Sequence, residues 1–352
     1  MIVKKLQTFD TLTNNKKGAT NIMQSQRTEI RPEELSQATG IIQRINSYFG
    51  SKVVGQSYLG YSLLVSLMTN GHILLESVPG LAKTTAAKVM TEAVDGQFSR
   101  IQCTPDLLPS DIIGTQTYNM STNTFETILG PVNANFVLLD EVNRSSAKTQ
   151  SAMLEVMQER EVTIGGQTYH LPDPFVVIAT QNPVEQEGTY LLSEAQLDRF
   201  LLKVKLTYPN REGELEILNR IEANIFASGQ AVANLDDIRF LQKLTKQVYM
   251  DPAIKRYIVD IVQATRMTDQ ILPPNLAQYV SMGASTRAAI SFMDVAKAVA
   301  LINGRNYCTP DDVKSMRYSI LGHRIMLNFA AMADGIKEET IIDAIVGAVR
   351  TP

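Results

Sequence analysis

The chain has 352 residues, 44% of them hydrophobic and 20% charged, with a formal net charge of -3. That length exceeds one compact core and predicts two domains, and the near-neutral total lacks the electrostatic footprint of a nucleic-acid binder. No apolar run approaches the roughly 20 residues that span a bilayer, so no membrane insertion is expected. The two cysteines, Cys103 and Cys308, lie far apart and read as reduced thiols of a cytoplasmic protein. His72, His170 and His323 are scattered without metal-ligand spacing and read as structural or surface residues.

In chain order, residues 1–32 form a polar extension expected to be mobile, with Lys4, Lys5, Lys16 and Lys17 but no signal-peptide core. Leu35, Ile41, Ile42, Ile45 and Phe49 predict a helix over 33–50 that Gly50 ends. Val53-Val54-Gly55-Gln56 then leads into a helix over 57–69. The short apolar run His72–Glu76 predicts a buried strand, followed by a Pro-Gly loop and a helix from about 83 to 94. Further buried strands are predicted over 98–103, 135–139, 175–180 and 200–204, with helices such as 147–160 between most of them. Alternating strands and helices imply a largely parallel, three-layer α/β sheet. Two hairpins interrupt this rhythm, over 115–129 and 161–171, the second turning at Gly165-Gly166. Beyond Pro209 the pattern is helical throughout, over 211–227, 235–249, 252–267, 285–302, 309–328 and 337–349. The expected division is an extension (1–32), an α/β core (33–208) and an all-α domain (209–352).

Three strand ends carry chemistry. Ser77-Val78-Pro79-Gly80-Leu81-Ala82-Lys83-Thr84, with Thr85 next, follows the first strand and opens a helix. It departs from the phosphate loop G-x-x-x-x-G-K-[ST] at both glycines but keeps Gly80, Lys83 and Thr84. Loop amides and a helix N-terminus offer N–H groups to phosphate, Lys83 adds positive charge, and Thr84 offers a hydroxyl to Mg²⁺. Phe136-Val137-Leu138-Leu139-Asp140-Glu141 delivers two carboxylates to a sheet edge. There Asp140 would hold Mg²⁺ through its water and Glu141 would polarise the attacking water. Val177-Ile178-Ala179-Thr180-Gln181-Asn182 places an amide at the neighbouring edge to orient that water or touch the γ-phosphate. Arg199, in Gln196-Leu197-Asp198-Arg199-Phe200, and Arg287, in Gly283-Ala284-Ser285-Thr286-Arg287, could each neutralise charge developing on phosphate. Each of these signals alone also fits an ordinary turn, cap or surface charge; their order and spacing together point to nucleoside triphosphate hydrolysis, and nothing resembles the Asn-Lys-x-Asp guanine-reading motif, which favours ATP over GTP.

Together these residues resemble the MoxR group of AAA+ ATPases, from about Val53 to Arg287. The likeness rests on Leu74-Leu75-Glu76 with Pro79–Thr84, on Thr104-Pro105-Asp106-Leu107-Leu108-Pro109-Ser110-Asp111, and on Leu139-Asp140-Glu141-Val142-Asn143-Arg144. It continues through Lys148-Thr149-Gln150-Ser151, Ala179–Pro183, Glu187-Gly188-Thr189-Tyr190 and Ser193–Phe200. Ala82 agrees with that group, whereas Ser77 stands where it has glycine and Thr286 where it often has proline. The resemblance implies a P-loop AAA+ core with a parallel sheet in the order 5-1-4-3-2 and a C-terminal helical lid. It makes Asn182 sensor 1, Arg199 a finger given in trans to a neighbour's ATP and Arg287 sensor 2. It sets Val53, Val54 and Gly55 against adenine, and reads the two hairpins as the helix-2 insert and the pre-sensor-1 hairpin. It further implies ATP and Mg²⁺ as cofactors and a homo-hexamer that remodels client proteins with a separate von Willebrand factor A domain partner. Two alternatives remain at this stage: a nucleic-acid motor, which the charge disfavours, and a nucleotide-gated scaffold with little turnover, which Glu141 and Asn182 disfavour.

Overall fold

The computed structural model describes residues 29–183, 189–223 and 229–352. Most of the expected extension, Glu187-Gly188 and the end of the helix expected over 211–227 lie outside the described residues. The strands are β1 (Ile73–Glu76), β2 (Phe98–Gln102), β3 (Gly114–Asn119), β4 (Thr124–Leu129), β5 (Phe136–Asp140), β6 (Glu161–Ile164), β7 (Gln167–His170), β8 (Val176–Gln181), β9 (Leu202–Lys205), β10 (Val280–Met282) and β11 (Met326–Leu327). Five of them form a parallel sheet ordered β2-β5-β8-β1-β9. Counting only these five, the order is the expected 5-1-4-3-2 read from the other edge.

The three layers follow from the period of two along each strand. Ile73, Leu75, Leu138, Ile178, Leu202 and Val204 enter one core. Their neighbours Leu74, Val137, Leu139, Val177 and Ala179 enter the other, under the helix Ala147–Glu159. Strands buried on both faces read as continuous apolar runs, which is why they were legible.

The first core does not stop at the sheet. It runs through the helices Pro32–Lys52 and Ser57–Met68 into Leu235–Gln247, Pro252–Ala264 and Thr286–Ile302, so both halves of the chain share one apolar interior. The side-chain amide of Gln242 donates to the Leu67 carbonyl across that join (2.8 Å).

Several boundaries move from the expectation. The first helix passes Gly50 and continues to Lys52. Helix-compatible residues follow the glycine, whose cost of about 1 kcal/mol inside a helix is too small to stop one already packed on the core. The C-terminal half is not purely helical, because β10 and β11 pair as a short antiparallel ribbon. The helix expected over 309–328 is instead Pro310–Ser315 and Arg317–Leu321 followed by β11. Strands of two or three residues carry too little period-2 signal to be read. Both hairpins are present, β3–β4 and β6–β7, and they touch where the Tyr169 hydroxyl donates to Thr127 Oγ1 (3.0 Å).

Candidate active site

The loop after β1 and the ends of β5 and β8 converge. Pro79, Gly80, Leu81, Ala82, Lys83, Thr84, Thr85, Asp140, Glu141 and Asn182 line one cavity of about 300 Å³. Val78 stands in the same loop, just before that lining. The parallel register explains the convergence: β1 pairs with β8, β8 with β5, and all three end at the same sheet edge.

The helix Lys83–Ala93 begins at this cavity with no side-chain cap, so its first-turn N–H groups point at the loop. Ala82, just before it, is left-handed at φ 55°, and Gly80 is at φ 84°. The left-handed backbone at Ala82 is the conformation for which the usual loop glycine is suited, and an alanine there carries about 1–2 kcal/mol of strain. Ser77 is buried; its N–H donates to the Gln181 carbonyl (3.1 Å) and its hydroxyl to the Val78 carbonyl (3.0 Å). Its hydroxyl therefore ties down the loop entry without entering the cavity lining.

The two carboxylates are held differently. Asp140 is buried: Thr180 Oγ1 donates to its Oδ1 (2.8 Å) and Arg100 Nη2 to its Oδ2 (2.6 Å). The Glu141 N–H donates to the same Thr180 hydroxyl (2.9 Å), so one threonine sets both residues. Glu141 is left-handed at φ 58° and its side chain accepts from Gln102 Nε2 (3.0 Å), with Arg144 Nη1 at 3.4 Å. A non-glycine residue held in that region at a cavity is strain of the kind found at functional sites. Thr180, Arg100 and Gln102 were not singled out by sequence. Thr180 stands inside a quoted motif, but Arg100 and Gln102 sit on an edge strand and only the cross-strand register Gln102 to Asp140 reveals them.

Glu76, at the end of β1, has a side chain 17% exposed. Burial pushes its carboxyl up, but Lys203 at 2.6 Å and the Gln181 amide at 2.8 Å hold it below the usual range. It locks β1 to both flanking strands directly before the loop.

Val54 and Gly55 line a second cavity, of about 480 Å³, with Phe49, Tyr61 and Arg220. Gly55 is at φ 72°, and a Cβ there would press on Pro209. This turn connects the helices Pro32–Lys52 and Ser57–Met68, both of which pack against the helix of the phosphate loop.

Arg199 and Arg287 do not line the cavity of Lys83 and Asp140. They line a separate cleft of about 330 Å³ with Asp198, Ser291 and Arg324. Arg199 Nε lies 3.4 Å from Gln158 Oε1, and Arg287 Nη1 lies 3.6 Å from Asp198 Oδ2. The helix carrying Arg287 starts at Thr286 without difficulty, because the Ser285 hydroxyl accepts from the Arg287 N–H (3.0 Å) as an N-cap.

The residue that organises this cleft, Arg324, was not foreseen. Its side chain is 2% exposed. It donates to Asp198 Oδ1 (2.8 Å), to the Phe200 and Ile320 carbonyls (both 2.6 Å) and to Ser291 Oγ (3.1 Å). Ser285 Oγ donates to Asp198 Oδ2 (2.7 Å). Asp198 and Arg324 thus join the segment of Arg199 to the helix of Arg287.

The histidines have structural roles where they are buried. His72 accepts the Val177 N–H at Nδ1 (3.0 Å) and faces the Met157 carbonyl through Nε2 (2.9 Å), which fixes the Nε2–H tautomer; burial lowers it to about 4. His323 faces the Phe200 carbonyl and is likewise pushed well below its ordinary value by burial. His170 is exposed beside Glu161. Both cysteines are free and buried, and burial raises each thiol to about 12.

Comparison with known proteins agrees with this geometry. Residues 72–202 match the ATPase family associated with various cellular activities (AAA), and residues 275–345 match an AAA lid domain. The chain is 46% identical to Chaperone MoxR1 of Mycobacterium tuberculosis over 85% of this chain and 79% of that protein. It is 44% identical to YeaC of Bacillus subtilis over 85% of this chain and 91% of that one, and 27% identical to Protein MoxR of Paracoccus denitrificans over 84% and 91%. A crystal structure from Cytophaga hutchinsonii, described as that of a candidate ATPase, superposes with a TM-score of 0.85 at 46% identity, covering 91% of this chain and 97% of that one. A phosphate loop, two carboxylates and an amide at one sheet edge, with a helical lid fixed beyond them and these relatives along most of the length, place the chain in the MoxR family of AAA+ ATPases.

Proposed function

We propose that this chain hydrolyses ATP with Mg²⁺ and uses the cycle to remodel client proteins. The observation that carries the reading is the single cavity shared by Lys83, Thr84, Asp140, Glu141 and Asn182. The N–H groups at the start of Lys83–Ala93 and the Lys83 ammonium take the β- and γ-phosphates. Glu141, oriented by Gln102 and Thr180, accepts the proton of the attacking water, and Asn182 positions that water. Val54 and Gly55 border the adenine.

Mg²⁺ fits the donor set. The Thr84 hydroxyl and the Asp140 carboxylate line the same cavity, and oxygen donors with remaining waters are what a small hard cation accepts. Bound there, the ion would neutralise charge on the phosphates.

Arg199 and Arg287 share a cleft apart from the loop, and this supports their delivery to a neighbouring copy's ATP. The function therefore requires assembly, as a hexamer, and remodelling is directed by a separate von Willebrand factor A domain protein. The cytoplasm is the matching compartment for an ATP-driven remodeller with free thiols, and among the described residues no helix is long and apolar enough to cross a membrane.

Glu141→Gln tests the catalytic assignment. It should bind ATP as the parent does and lose roughly a hundredfold or more in turnover, measured as phosphate release. Normal turnover would remove Glu141 from the role. Turnover per chain should rise with protein concentration and plateau on assembly; a flat profile would sink the shared site.

A further inference from the structure

Among the described residues, the helix Arg211–Glu222 buries little apolar surface, with Ile217 half-buried. Gly213 is its one buried residue. Leu215, Leu218 and Ile221 are 60%, 61% and 58% exposed. Spaced three apart, they fill an arc of about 120° on a single face. Twelve residues are marginal as an isolated helix in water, and most helices of this length are held by burying such a face. Here the stripe faces outward and no described residue covers it.

Its position says what the cover is. Asn210 caps the helix by accepting the Gly213 N–H (2.9 Å). A Cβ at Gly213 would meet Pro209, with Val54 also near. Arg220, near the other end, donates to the Gly50 and Ser51 carbonyls (3.1 and 2.6 Å) and lines the cavity of Val54 and Gly55. The helix is thus fixed along the rim of the Val54–Gly55 cavity, where the proposed function puts the adenine of the nucleotide site. That site lacks Arg199 and Arg287, which its own chain holds in a different cleft.

We infer that the Leu215–Leu218–Ile221 stripe is the docking surface for a second copy of this chain, whose arginine-bearing face covers the stripe as it completes the site. This rests on the shared-site reading above. The charges agree with it. Glu212, Glu214 and Glu222 flank the stripe with Arg211 among them, and Glu216 is paired to Arg220, whereas the other face presents Arg199 and Arg287 with an exposed apolar residue, Ile290, in a cleft that also holds Asp198 and Asp294. An apolar strip rimmed by carboxylates meeting an apolar residue flanked by arginines is complementary in both respects.

The test uses the full chain with Leu215→Asp/Leu218→Asp, and with the milder Leu215→Gln/Leu218→Gln. These side chains are exposed, so the melting curve should match the parent's. Fluorescent ATP analogue binding at low concentration should stay within about threefold. Assembly in ATP, followed by sedimentation velocity, should shift to at least tenfold higher concentration, and turnover should lose its rise with concentration. Mixing the Asp variant with Arg199→Ala should restore part of the activity, because an intact stripe and pocket then meet an intact arginine face. Mixing it with Lys83→Ala should restore none, because both lesions lie on the same side of the interface. Parental assembly by both stripe variants would overturn the inference, whether residues 1–28, a client or nothing covers the stripe. So would recovery with Lys83→Ala equal to that with Arg199→Ala. A parent whose turnover never rises with concentration would instead overturn the shared-site reading itself.

Discussion

Arg324→Met should separate stability from nucleotide binding in this protein. The Arg324 guanidinium is the buried partner of Asp198, whose own side chain is 15% exposed. Removing it leaves a nearly buried carboxylate with the Ser285 hydroxyl and a half-exposed Arg287 at 3.6 Å. Breaking a buried pair from one side costs about 3–5 kcal/mol, chiefly from the charge left behind. The carbonyls of Phe200, Leu201 and Ile320 also lose a donor, which adds to the cost in the same direction. Against a typical total of about 5–15 kcal/mol, that is a large fraction. Arg287→Ala breaks a longer, half-exposed contact to the same carboxylate and should cost under about 1 kcal/mol. Urea unfolding followed by circular dichroism measures both. Below the transition, ATP binding by Arg324→Met should be close to parental, because the phosphate cavity shares no side chain with the cleft, while turnover should fall as Arg199 loses its footing. A stability loss for Arg324→Met under about 1 kcal/mol, or one equal to that of Arg287→Ala, would refute the view that a buried ion pair fixes this joint.

The buried histidines predict acid sensitivity. His72 falls to about 4 in the fold from an ordinary 6.5, so the unfolded chain takes the proton first. Stability is therefore full above about pH 6.5 and is lost as pH falls toward 4, by about 2 kcal/mol at pH 5 from this one group. His323 acts with the same sign. His72→Gln should flatten the slope between pH 6.5 and 5 in denaturant titrations, whatever it does to the total. Gly114→Ala should disorder the root of the β3–β4 hairpin, because Gly114 is at φ 112° and a Cβ would strike the Ile128 carbonyl oxygen. A cost above about 2 kcal/mol and faster amide exchange in 114–129 are expected. Arg100→Gln removes a cation competing for Asp140, so half-saturating Mg²⁺ in the ATPase assay should fall roughly threefold, the scale of a partly exposed ion pair.

What was legible in the sequence followed from periodicity and from chain-local motifs. β5 announces itself because four apolar residues end in Asp140 and Glu141, and a strand buried on both faces can hardly look otherwise. The loop after β1 was readable as a candidate phosphate loop although both glycines of that motif are replaced, because Lys83 and Thr84 stand where a strand turns into a helix. What escaped was held by contacts between distant segments. Asp198 meets Arg324 across 126 positions, and Arg100 meets Asp140 across 40. Neither arginine differs locally from a solvated one. The ribbon β10–β11 escaped because two or three residues define no period.

The same distinction bears on how the lid works. A lid that only packed on the core through apolar side chains could slide, since apolar contact has no fixed direction. Here the apolar interior is continuous, and at its edge Arg324 adds directional bonds to the Asp198 carboxylate, the Phe200 carbonyl and Ser291. Those three acceptors belong to the segment carrying Arg199 and the helix carrying Arg287. Any motion that preserves these bonds moves both arginines as one body, while the cavity at the ends of β1, β5 and β8 shares no lining residue with that joint. Two copies meeting at such surfaces would set a rigid pair of cations against the phosphates bound in the neighbouring pocket. The pocket's owner would then respond to the position of its neighbour's lid.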